Sequence, residues 1–418
     1  MKHLLFVTNL FPRPDMPQCA TYNAQLLLAV ACRLRKQGGR VSVLVLVAAS
    51  DFRRWSIIRQ WRLPTTSDAL SQAGVSVYYE PAPHVPVIGR DLAWRFCGHA
   101  CHRRENLFAD ADVVVGSWLY PDCVAAELLA RRHGCAFFAR AHGTDRFHLD
   151  APVRGARTMA MLHRSRRVLV NCGFMRDELV ARGLSGEQIA IVPNGVDQTR
   201  FGLREKGAAV ETLRGASQGA AEGANTALME ASDTKTVLYV GNLVGIKGPD
   251  RLVEACAGLP LCRLLIVGSG PMRRALERRC EELGVQERVH FLGPRPHAEV
   301  AQWMNIADCL CLPSRSEGMP NVVVEALASG TPVVATRVGD VPNLVQDGVS
   351  GAVVANGSNT QVVTDLRTAM ADILEREWDR KQIRATVAQY TWSGAADGLL
   401  RVIDEEEGGK IGPRSSQL

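Results

Sequence analysis

The sequence predicts two doubly wound α/β domains, each built on a parallel β-sheet covered by helices. The 418 residues exceed one ordinary hydrophobic core and suit two cores of about 200 residues each. Val, Leu and Ala dominate the apolar residues, while aromatic residues make up only 6% of the chain. This balance is typical of buried parallel strands rather than of a β-sandwich. Short apolar runs also alternate with segments of helical periodicity along both halves, as βαβ units require.

The first half, residues 1–195, is predicted to form an N-terminal domain on the acceptor side. A helix is expected over Tyr22–Gln37, because its apolar residues recur at helical spacing and Gly38 and Gly39 follow it. We expect the C-terminal helix, residues 391–405, to pack back on this domain. The predicted strands are the apolar runs Leu4–Thr8, Val41–Val47, Val75–Tyr79, Val113–Val115, Ala136–Ala139, Val168–Val170 and Ile189–Val192.

Turn residues and a segment poor in large apolar side chains separate the two halves. Pro193–Asp197 reads P-N-G-V-D, which is a strong turn signal. Leu203–Thr234 is rich in Ala, Gly, Glu and Ser. Such a composition buries little core, so we predict a flexible surface insertion over residues 203–234.

The second half, residues 235–390, repeats the alternation and is predicted to be the donor-binding domain. Because ligands of doubly wound sheets bind at the carboxyl ends of the strands, we expect the two domains to face each other across a cleft that holds the site. Helical periodicity covers Gln361–Leu374 and Ala395–Ile403. The predicted strands are Val237–Val240, Leu264–Val267, Val289–Leu292, Cys309–Leu312, Val333–Ala335 and Ala352–Val354.

The charge pattern argues against a nucleic-acid-binding protein. The net charge is +6, but the basic residues are spread along the chain rather than gathered in one stripe with stacking aromatics. An anionic substrate or an anionic membrane surface explains the charge at least as well, and Arg53–Arg62 and Arg90–Arg104 are candidate membrane contacts. No run of about 18 apolar residues predicts a spanning helix, and Met1–Leu10 reads as a first strand rather than a signal peptide. We therefore expect a cytoplasmic protein, peripheral on the inner face of the plasma membrane.

The twelve cysteines do not predict a metal site. There is no C-x-x-C pair, and Cys309 and Cys311 fall on one face of a predicted strand, where reduced core cysteines are the simpler interpretation. Asp110-Ala111-Asp112 matches the D-x-D pattern of metal-dependent sugar transferases. It leads into the amino end of a strand, the wrong end for a ligand, and is interpreted as chance.

The segment Ser316–Glu325 is the most informative in the chain. A predicted strand ends near Pro313, and Asn321 is expected to cap a helix that runs to Ser329. A helix N-terminus of this kind suits a diphosphate, because its free amides and its dipole both favour an anion. The amides expected to bind are those of Gly318, Met319, Asn321 and Val322.

Two carboxylates flank this segment with seven residues between them. Carboxylates repel phosphate, so Glu325 suits the hydroxyls of a ribose and Glu317 those of a transferred sugar. The alternative is that Glu325 only complements the helix dipole and that Glu317 is solvated. Spacing alone does not separate these two interpretations.

Two further motifs follow predicted strands. Gly241–Gly248 resembles a phosphate loop but is not a Walker A motif, since Lys247 lacks the preceding Gly and the following Ser or Thr. Lys247 is a candidate for neutralising a leaving diphosphate, although a lysine at a helix start is usually just solvated. His142, in H-G-T-D, follows a strand of the first half, where a structural role is the common alternative.

Taken together, these motifs resemble the family 4 retaining glycosyltransferases, which have the GT-B fold. The resemblance covers nearly the whole chain, and its long final block is highly specific. The teichuronic-acid-type polysaccharide glycosyltransferases are the most similar branch that these motifs suggest. The blocks are V-T-N-L-F-P at Val7–Pro12, H-G-T-D at His142–Asp145, P-N-G-V-D at Pro193–Asp197, G-N-L-V-G-I-K-G at Gly241–Gly248, and the block Ser314–Thr336.

The resemblance implies a set of roles and partners. The donor would be a nucleotide-diphosphate sugar and the acceptor a glycan or a lipid-linked sugar of cell-surface polysaccharide biosynthesis, with no cofactor and no metal. The implied catalytic residues are His142, Lys247 and Glu317. The implied donor-binding residues are Gly241, Asn242, Lys247, Gly318, Met319, Asn321, Val322 and Glu325, and the acceptor-side loop contains Thr21 and Tyr22.

Three departures from the family pattern concern the donor site and the N-terminal loop. The family often has Arg where this chain has Asn242, and it usually has Gly where Ala20 precedes Thr21. The insertion over 203–234 is also longer than usual. A sugar-nucleotide 2-epimerase of the same architecture is the alternative enzyme, and a non-catalytic binding protein is the second alternative. The paired glutamates with P-N-G-V-D argue against the epimerase, and the presence of Glu317, His142 and Lys247 argues against a non-catalytic protein.

Overall fold

The protein was analysed as a computed structural model that describes residues 1–17, 19–49, 52–64, 67–83, 89–216 and 234–408. For residues 52–55, 216, 407 and 408 it describes the backbone alone. The chain divides into two compact units. Unit 1 comprises Met1–Gly195 with Trp392–Leu418, and unit 2 comprises Val196–Thr391.

Unit 1 contains a seven-stranded parallel sheet in the order β3-β2-β1-β4-β5-β6-β7. The strand order reverses between β1 and β4, which is the topological switch point of a doubly wound sheet. All six residues of β1 are buried, because helices cover both faces of such a sheet. The strands are β1 (His3–Thr8), β2 (Arg40–Ala49), β3 (Ser76–Pro83), β4 (Val113–Ser117), β5 (Ala136–Ala141), β6 (Arg167–Val170) and β7 (Ile189–Ile191).

Ten α-helices accompany this sheet in the described part of unit 1. The C-terminal helix packs against Thr21–Lys36 through Ala396, Leu399 and Ile403, which are buried in the same core, and Arg33 pairs with Asp397. The helices are Thr21–Lys36, Phe52–Arg59, Asp68–Gln72, Ala93–His102, Glu105–Ala109, Val124–Arg132, Arg146–Leu149, Pro152–Arg164, Gly173–Ala181 and Trp392–Gly408.

Unit 2 contains a six-stranded parallel sheet in the order β10-β9-β8-β11-β12-β13, so that β8 and β11 flank its switch point. The strands are β8 (Lys235–Val240), β9 (Cys262–Val267), β10 (Val289–Gly293), β11 (Cys309–Leu312), β12 (Val333–Thr336) and β13 (Gly351–Val354). The described helices are Lys206–Ala216, Pro249–Ala257, Arg273–Glu282, His297–Ile306, Asn321–Ala328, Val341–Leu344, Asn359–Glu375 and Arg380–Ala385. The sequence therefore predicted the fold class correctly.

The expectation of a flexible insertion over 203–234 is wrong for its first part. Lys206–Ala216 is a helix whose Ala209 and Leu213 are buried, and it packs against the helix His297–Ile306. The two apolar residues are four positions apart, which places them on one face of the helix. Two such residues suffice for a short packed helix even in an otherwise polar segment. Residues 217–233 lie outside the described part.

Strand β3 extends four residues beyond the predicted Val75–Tyr79. It continues through Glu80 to Pro83 and begins at Ser76. Proline is tolerated there because β3 is an edge strand, which leaves one side of its backbone unpaired. Glu80 is fully buried, and the guanidinium groups of Arg59, Arg103 and Arg104 pair with it. Burial alone would raise the pKa of Glu80, but these hydrogen bonds hold it below its ordinary value.

Candidate active site

Unit 2 brings the loops after β8 and β11 together at the switch point of its sheet. Lys247 ends a short 3₁₀ turn, Gly245–Lys247, after β8. Gly248 follows with φ 66°, and a Cβ there would lie 2.2 Å from the carbonyl oxygen of Pro313, just beyond β11. The backbone N–H of Arg315 donates to the carbonyl of Ile246 over 2.8 Å. Glycine is thus required at position 248, because only it allows the two loops to approach this closely.

Lys247 and Glu317 form an ion pair at this junction. The lysine Nζ donates to both carboxylate oxygens of Glu317, over 2.7 Å to Oε1 and 2.8 Å to Oε2. The hydroxyl of Ser314 also donates to Oε1 over 2.6 Å. The side chain of Glu317 is 6% exposed and that of Lys247 is 31% exposed, so the carboxylate is the deeper partner. The sequence placed both groups at strand ends, but it gave no sign of the ion pair or of Ser314.

The loop between Glu317 and the following helix presents unpaired backbone amides. Among the described residues, the N–H groups of Gly318 and Met319 have no acceptor, while the carbonyl of Gly318 accepts the N–H of Asp340 over 2.8 Å. The helix begins at Asn321 rather than being capped by it. Pro320 occupies the cap position and makes no side-chain cap bond, so the expectation of an Asn321 cap is wrong. Asn321 and Val322 are instead the first two residues of the helix.

Glu325 lies one turn into this helix and is partly buried. Removal from water raises the pKa of its carboxyl to about 7, while the Arg200 guanidinium acts in the opposite direction. Arg200 follows the P-N-G-V-D turn and pairs with Asp197 over 3.8 Å. The sequence did not indicate that Arg200 comes near Glu325. A carboxyl with this pKa is partly protonated at neutral pH. A hydrogen-bond donor that binds it would stabilise the negatively charged form.

Asn242 and Gly241 follow β8 at the same end of the sheet. The Asn242 side chain is exposed, and the hydroxyl of Tyr239 donates to the backbone carbonyl oxygen of Asn242 over 2.9 Å. The N–H of Gly241 donates to Val267 at the end of β9. Arg315, a nearby cation, is held by Asp250 over 2.9 and 2.6 Å and by the carbonyl of Gly245. Lys247 is therefore the positively charged residue of the Gly241–Gly248 motif that lies against the loop containing Gly318 and Met319.

His142 lies at the carboxyl end of β5 in unit 1, and its side chain is buried. Its Nε2 lies 2.8 Å from the hydroxyl of Ser117, at the end of β4. Burial, and then the nearby Arg140 guanidinium, lower the pKa of the imidazole to about 3. The ring is therefore neutral at physiological pH and is suited to hydrogen bonding rather than to charge pairing.

Other buried polar groups hold the His142 turn in place. Asp145 accepts the N–H of His142 over 2.7 Å and that of Leu119 over 3.0 Å, while burial raises the pKa of its carboxyl to about 7. Arg140 is 1% exposed and donates to Asn194 over 2.8 Å. Neither Arg140 nor Ser117 was singled out in the sequence, since neither lies in a recognised motif.

The acceptor-side loop residues lie beside this turn within unit 1. The ring of Tyr22 is 5.3 Å from that of His142, and Thr21 is the first residue of the helix Thr21–Lys36. Ala20 precedes them with φ 46° and ψ 46°, a left-handed conformation that glycine adopts freely and alanine does not. The resemblance had marked this position as a departure from glycine, and the structure shows the backbone conformation that glycine would suit.

Among the described residues, no group of three His, Cys, Asp or Glu side chains could hold a metal ion. Asp112 of the D-x-D sequence accepts the backbone N–H groups of Lys2 and His3, and Asp110 pairs with Arg40. All twelve cysteines are free. Within the part of the chain that is described, no helix is both long and apolar enough to cross a bilayer.

Two family models match the sequence, one on each half. Residues 24–200 match the model "Glycosyltransferase Family 4", and residues 226–386 match the model "Glycosyl transferases group 1". The chain is 32% identical over 293 residues to a D-inositol 3-phosphate glycosyltransferase of Mycolicibacterium smegmatis, and 30% identical to one of Mycobacterium bovis. Each alignment covers 68% of this chain, but only 63% and 58% of those relatives, so the chain spans less than two thirds of their length.

Solved structures show the same fold with low identity. A sucrose-phosphate synthase from Thermosynechococcus elongatus superposes with a TM-score of 0.73 and 19% identity, covering 98% of this chain and 100% of that one. Anabaena Alr3699/HepE in complex with UDP-glucose gives a TM-score of 0.72 and 18% identity, covering 97% and 100%. The two glycosyltransferase family models follow one another along about four fifths of the sequence, and the chain has the GT-B fold.

Proposed function

We propose that the protein is a retaining glycosyltransferase that moves a sugar from a nucleotide-diphosphate donor to a glycan or lipid-linked acceptor in cell-surface polysaccharide biosynthesis. The observation that carries this proposal is the Lys247–Glu317 pair beside the unpaired amides of Gly318 and Met319. A cation and free amides suit a diphosphate, and an adjacent carboxylate suits sugar hydroxyls. The relatives reported above name inositol 3-phosphate, so the teichuronic-acid-type branch stays a prediction.

The arrangement of residues in unit 2 suggests how this reaction would proceed. The bond between the anomeric carbon and the diphosphate oxygen breaks, and its electron pair leaves with the diphosphate. The acceptor hydroxyl oxygen bonds to the anomeric carbon from the same face, and its proton passes to the leaving phosphate. Lys247 and the backbone N–H groups of Gly318, Met319, Asn321 and Val322 stabilise the charge that develops on the leaving group. No cofactor enters this scheme, and the role of His142 near the donor sugar stays a prediction.

A donor screen tests the proposal. Nucleoside diphosphate release is measured for a panel of nucleotide sugars with and without lipid-linked acceptors, and the anomeric configuration of the product is read by NMR. We expect release that depends on an acceptor, with the donor configuration kept. Conversion of a nucleotide sugar without acceptor and without diphosphate release would instead identify an epimerase.

Binding of a nucleoside diphosphate should release protons through Glu325. Its pKa of about 7 means that about half of the free protein carries the proton at pH 7. A ribose hydroxyl that donates to Glu325 favours the carboxylate, so the affinity for nucleotide should rise as the pH increases from 6 to 8. Titration calorimetry at pH 7 in two buffers of different ionisation enthalpy counts the protons released.

Two variants control this measurement. Glu325→Gln should release fewer protons than the parent, and Glu282→Gln, a change at an exposed carboxylate of the same unit, should match the parent. The titration of the nucleotide's own phosphate is the same in all three proteins. Equal proton release by parent and Glu325→Gln would show that this carboxyl does not bind the ribose.

We propose a membrane contact that includes the first part of the segment Arg90–Arg104. Arg59, Arg103 and Arg104 pair with the buried Glu80, so their charge is already partnered. The first part of Arg90–Arg104 belongs to a surface of unit 1 that combines cations with exposed apolar side chains. Arg95 and Arg157 lie over the ring of Trp94, at 5.3 and 4.1 Å from its centroid. We call this surface the Trp94 patch; it comprises Arg90, Leu92, Trp94, Arg95, Arg146, Phe147, Val153, Arg154 and Arg157.

The Trp94 patch should bind anionic bilayers in a salt-dependent way. It carries five arginines, and its exposed Leu92, Phe147 and Val153 suit the headgroup boundary. We expect co-sedimentation with vesicles containing anionic lipid at low salt and release at high salt. Arg95→Glu with Arg157→Glu should weaken binding about tenfold or more, since each arginine near the surface contributes about 1 kcal/mol. The control is Arg274→Glu with Arg278→Glu, an equal charge change on a helix of unit 2. Protein that stays in the supernatant at low salt would contradict a membrane role.

A further inference from the structure

The side chain of Arg315 uses every N–H group of its two terminal nitrogens within unit 2. Its Nη1 donates to the carbonyl oxygen of Gly245 over 2.6 Å and to Oδ1 of Asp250 over 2.9 Å. Its Nη2 donates to Oδ2 of Asp250 over 2.6 Å and to Oδ1 of Asn359 over 3.1 Å. A guanidinium carries two N–H groups on each terminal nitrogen, so these four contacts leave none of them for a phosphate. Arg315 therefore lies beside the proposed diphosphate site with its terminal N–H groups already paired.

These contacts fix the short turn that carries Lys247 on both of its sides. Gly245 begins the turn, and Asp250 lies three residues after Lys247, in the first turn of the following helix. The backbone N–H of Arg315 also donates to the carbonyl oxygen of Ile246 over 2.8 Å. Arg315 thus holds the backbone before Lys247 directly, and it holds the backbone after Lys247 through Asp250.

The same stretch of the loop after β11 also holds the end of the lysine side chain. Glu317, two residues after Arg315, accepts two hydrogen bonds from the Lys247 ammonium. Ser314, one residue before Arg315, donates to that carboxylate. A lysine is a point charge on a flexible four-carbon stem, so a fixed backbone and a fixed carboxylate are both needed to hold its charge in one place. Arg315 supplies the first of these two constraints and Glu317 the second.

The pair of Arg315 and Asp250 is itself held by neighbouring side chains. The two side chains are 34% and 30% exposed. Removal from water alone would raise the pKa of Asp250, but the hydrogen bonds and the charge of Arg315 hold it below its ordinary value, so the carboxylate stays charged. Behind the pair, the buried Arg251 donates to Oδ1 of Asn359 over 2.9 Å and to Oδ1 of Asn356 over 3.1 Å. A forked, two-bond pair with a supported acceptor is a rigid arrangement that other side chains do not reproduce.

We propose that Arg315 and Asp250 are positioning residues, which fix the Gly245–Lys247 turn so that the Lys247 ammonium meets the leaving diphosphate. Neither of the two side chains contacts the donor. The role of Lys247 at the diphosphate rests on the proposed function. An arginine that contacted the diphosphate itself would add its effect to that of the lysine, whereas an arginine that acts through Lys247 has no effect once the lysine is gone. This difference separates a positioning role from direct binding.

The first test needs neither a donor nor turnover. The free protein is treated with N-acetoxysuccinimide, and the acetylation of each lysine is followed by mass spectrometry. We expect Lys247 to react about threefold faster or more in Arg315→Gln and in Asp250→Asn than in the parent, because a loosened turn no longer fixes the ammonium. The exposed Lys381 is the internal reference, and Arg279→Gln, which removes an ion-paired arginine elsewhere in unit 2, should match the parent. An unchanged rate at Lys247 in both variants would overturn the positioning role, whatever the activity of the protein.

The second test measures the affinity for UDP, ADP and GDP by titration calorimetry and then uses the diphosphate that the parent binds most tightly. Arg315→Gln should weaken this binding about fivefold or more in the parent, but less than about twofold in Lys247→Ala. Asp250→Asn should show the same pattern and takes the place of Arg315→Gln if that variant does not fold, while Arg279→Gln should bind like the parent.

The outcomes of this second test are distinct. Equal weakening by Arg315→Gln with and without Lys247 would overturn the proposal, because Arg315 would then contact the diphosphate itself. A parent that binds none of the three diphosphates and releases none from any donor would instead contradict the proposed function, and with it the diphosphate for which Lys247 is positioned.

Discussion

Replacing Lys247 by alanine should lower kcat/KM by about a hundredfold or more, equivalent to about 3 kcal/mol of transition-state stabilisation. The family resemblance leads us to expect arginine where this chain has Asn242, and Arg315 is held by Asp250. Lys247 is therefore the cation of the Gly241–Gly248 motif that remains for two phosphates. The variant also leaves the carboxylate of Glu317, 6% exposed, without its cation. Both effects act in the same direction, because an unpaired buried charge is costly and repels a diphosphate.

Steady-state kinetics of nucleoside diphosphate release measure this effect. Lys381→Ala, which removes an exposed lysine of the same unit, is the control for a general change in charge. Asn242→Arg should be tolerated, since position 242 is exposed, and should partly rescue Lys247→Ala by restoring a cation. A loss of less than about tenfold in Lys247→Ala, or about 1.4 kcal/mol, would show that the lysine is not the main contact of the leaving group.

Replacing Glu317 by alanine should lower turnover by about a hundredfold with the fold intact. Its carboxylate is proposed to accept hydrogen bonds from the donor sugar that strengthen in the transition state. The structure adds a second role, since both of its oxygens bind Lys247. Glu317→Gln keeps the shape and removes the charge, so it should impair both contacts while disturbing packing least.

Binding of the free nucleoside diphosphate separates the two roles of Glu317. This ligand has no sugar, so a pure sugar contact would leave its affinity unchanged in Glu317→Gln. We expect a several-fold weaker affinity, because Lys247 loses the group that positions it. A double-mutant cycle with Lys247→Ala should then be non-additive by about 1 kcal/mol or more, as for residues in direct contact. Turnover of Glu317→Ala within about threefold of the parent would contradict both roles.

Local sequence patterns were sufficient for the secondary structure that frames both units. Unbroken runs such as Cys309–Leu312 predicted strands, since a parallel strand covered by helices on both faces is apolar throughout. The same patterns failed where only a few residues distinguish the buried face of a helix or strand. The helix Lys206–Ala216 was missed because only Ala209 and Leu213 mark its buried face. The extension of β3 was missed because Glu80 is acceptable there only through arginines 20 or more residues away.

The sequence by itself determined the fold class and placed Lys247, Glu317, Glu325 and His142 on loops or at a helix start near strand ends. It did so because periodicity, turns and motif spacing are properties of neighbouring residues. Only the tertiary structure decided which of these groups meet. The order β9-β8-β11-β12 places the ends of β8 and β11 side by side, although 70 residues separate Lys247 from Glu317. The partial protonation of Glu325 and the neutral ring of His142 likewise depend on burial by distant segments, a property that no local pattern records.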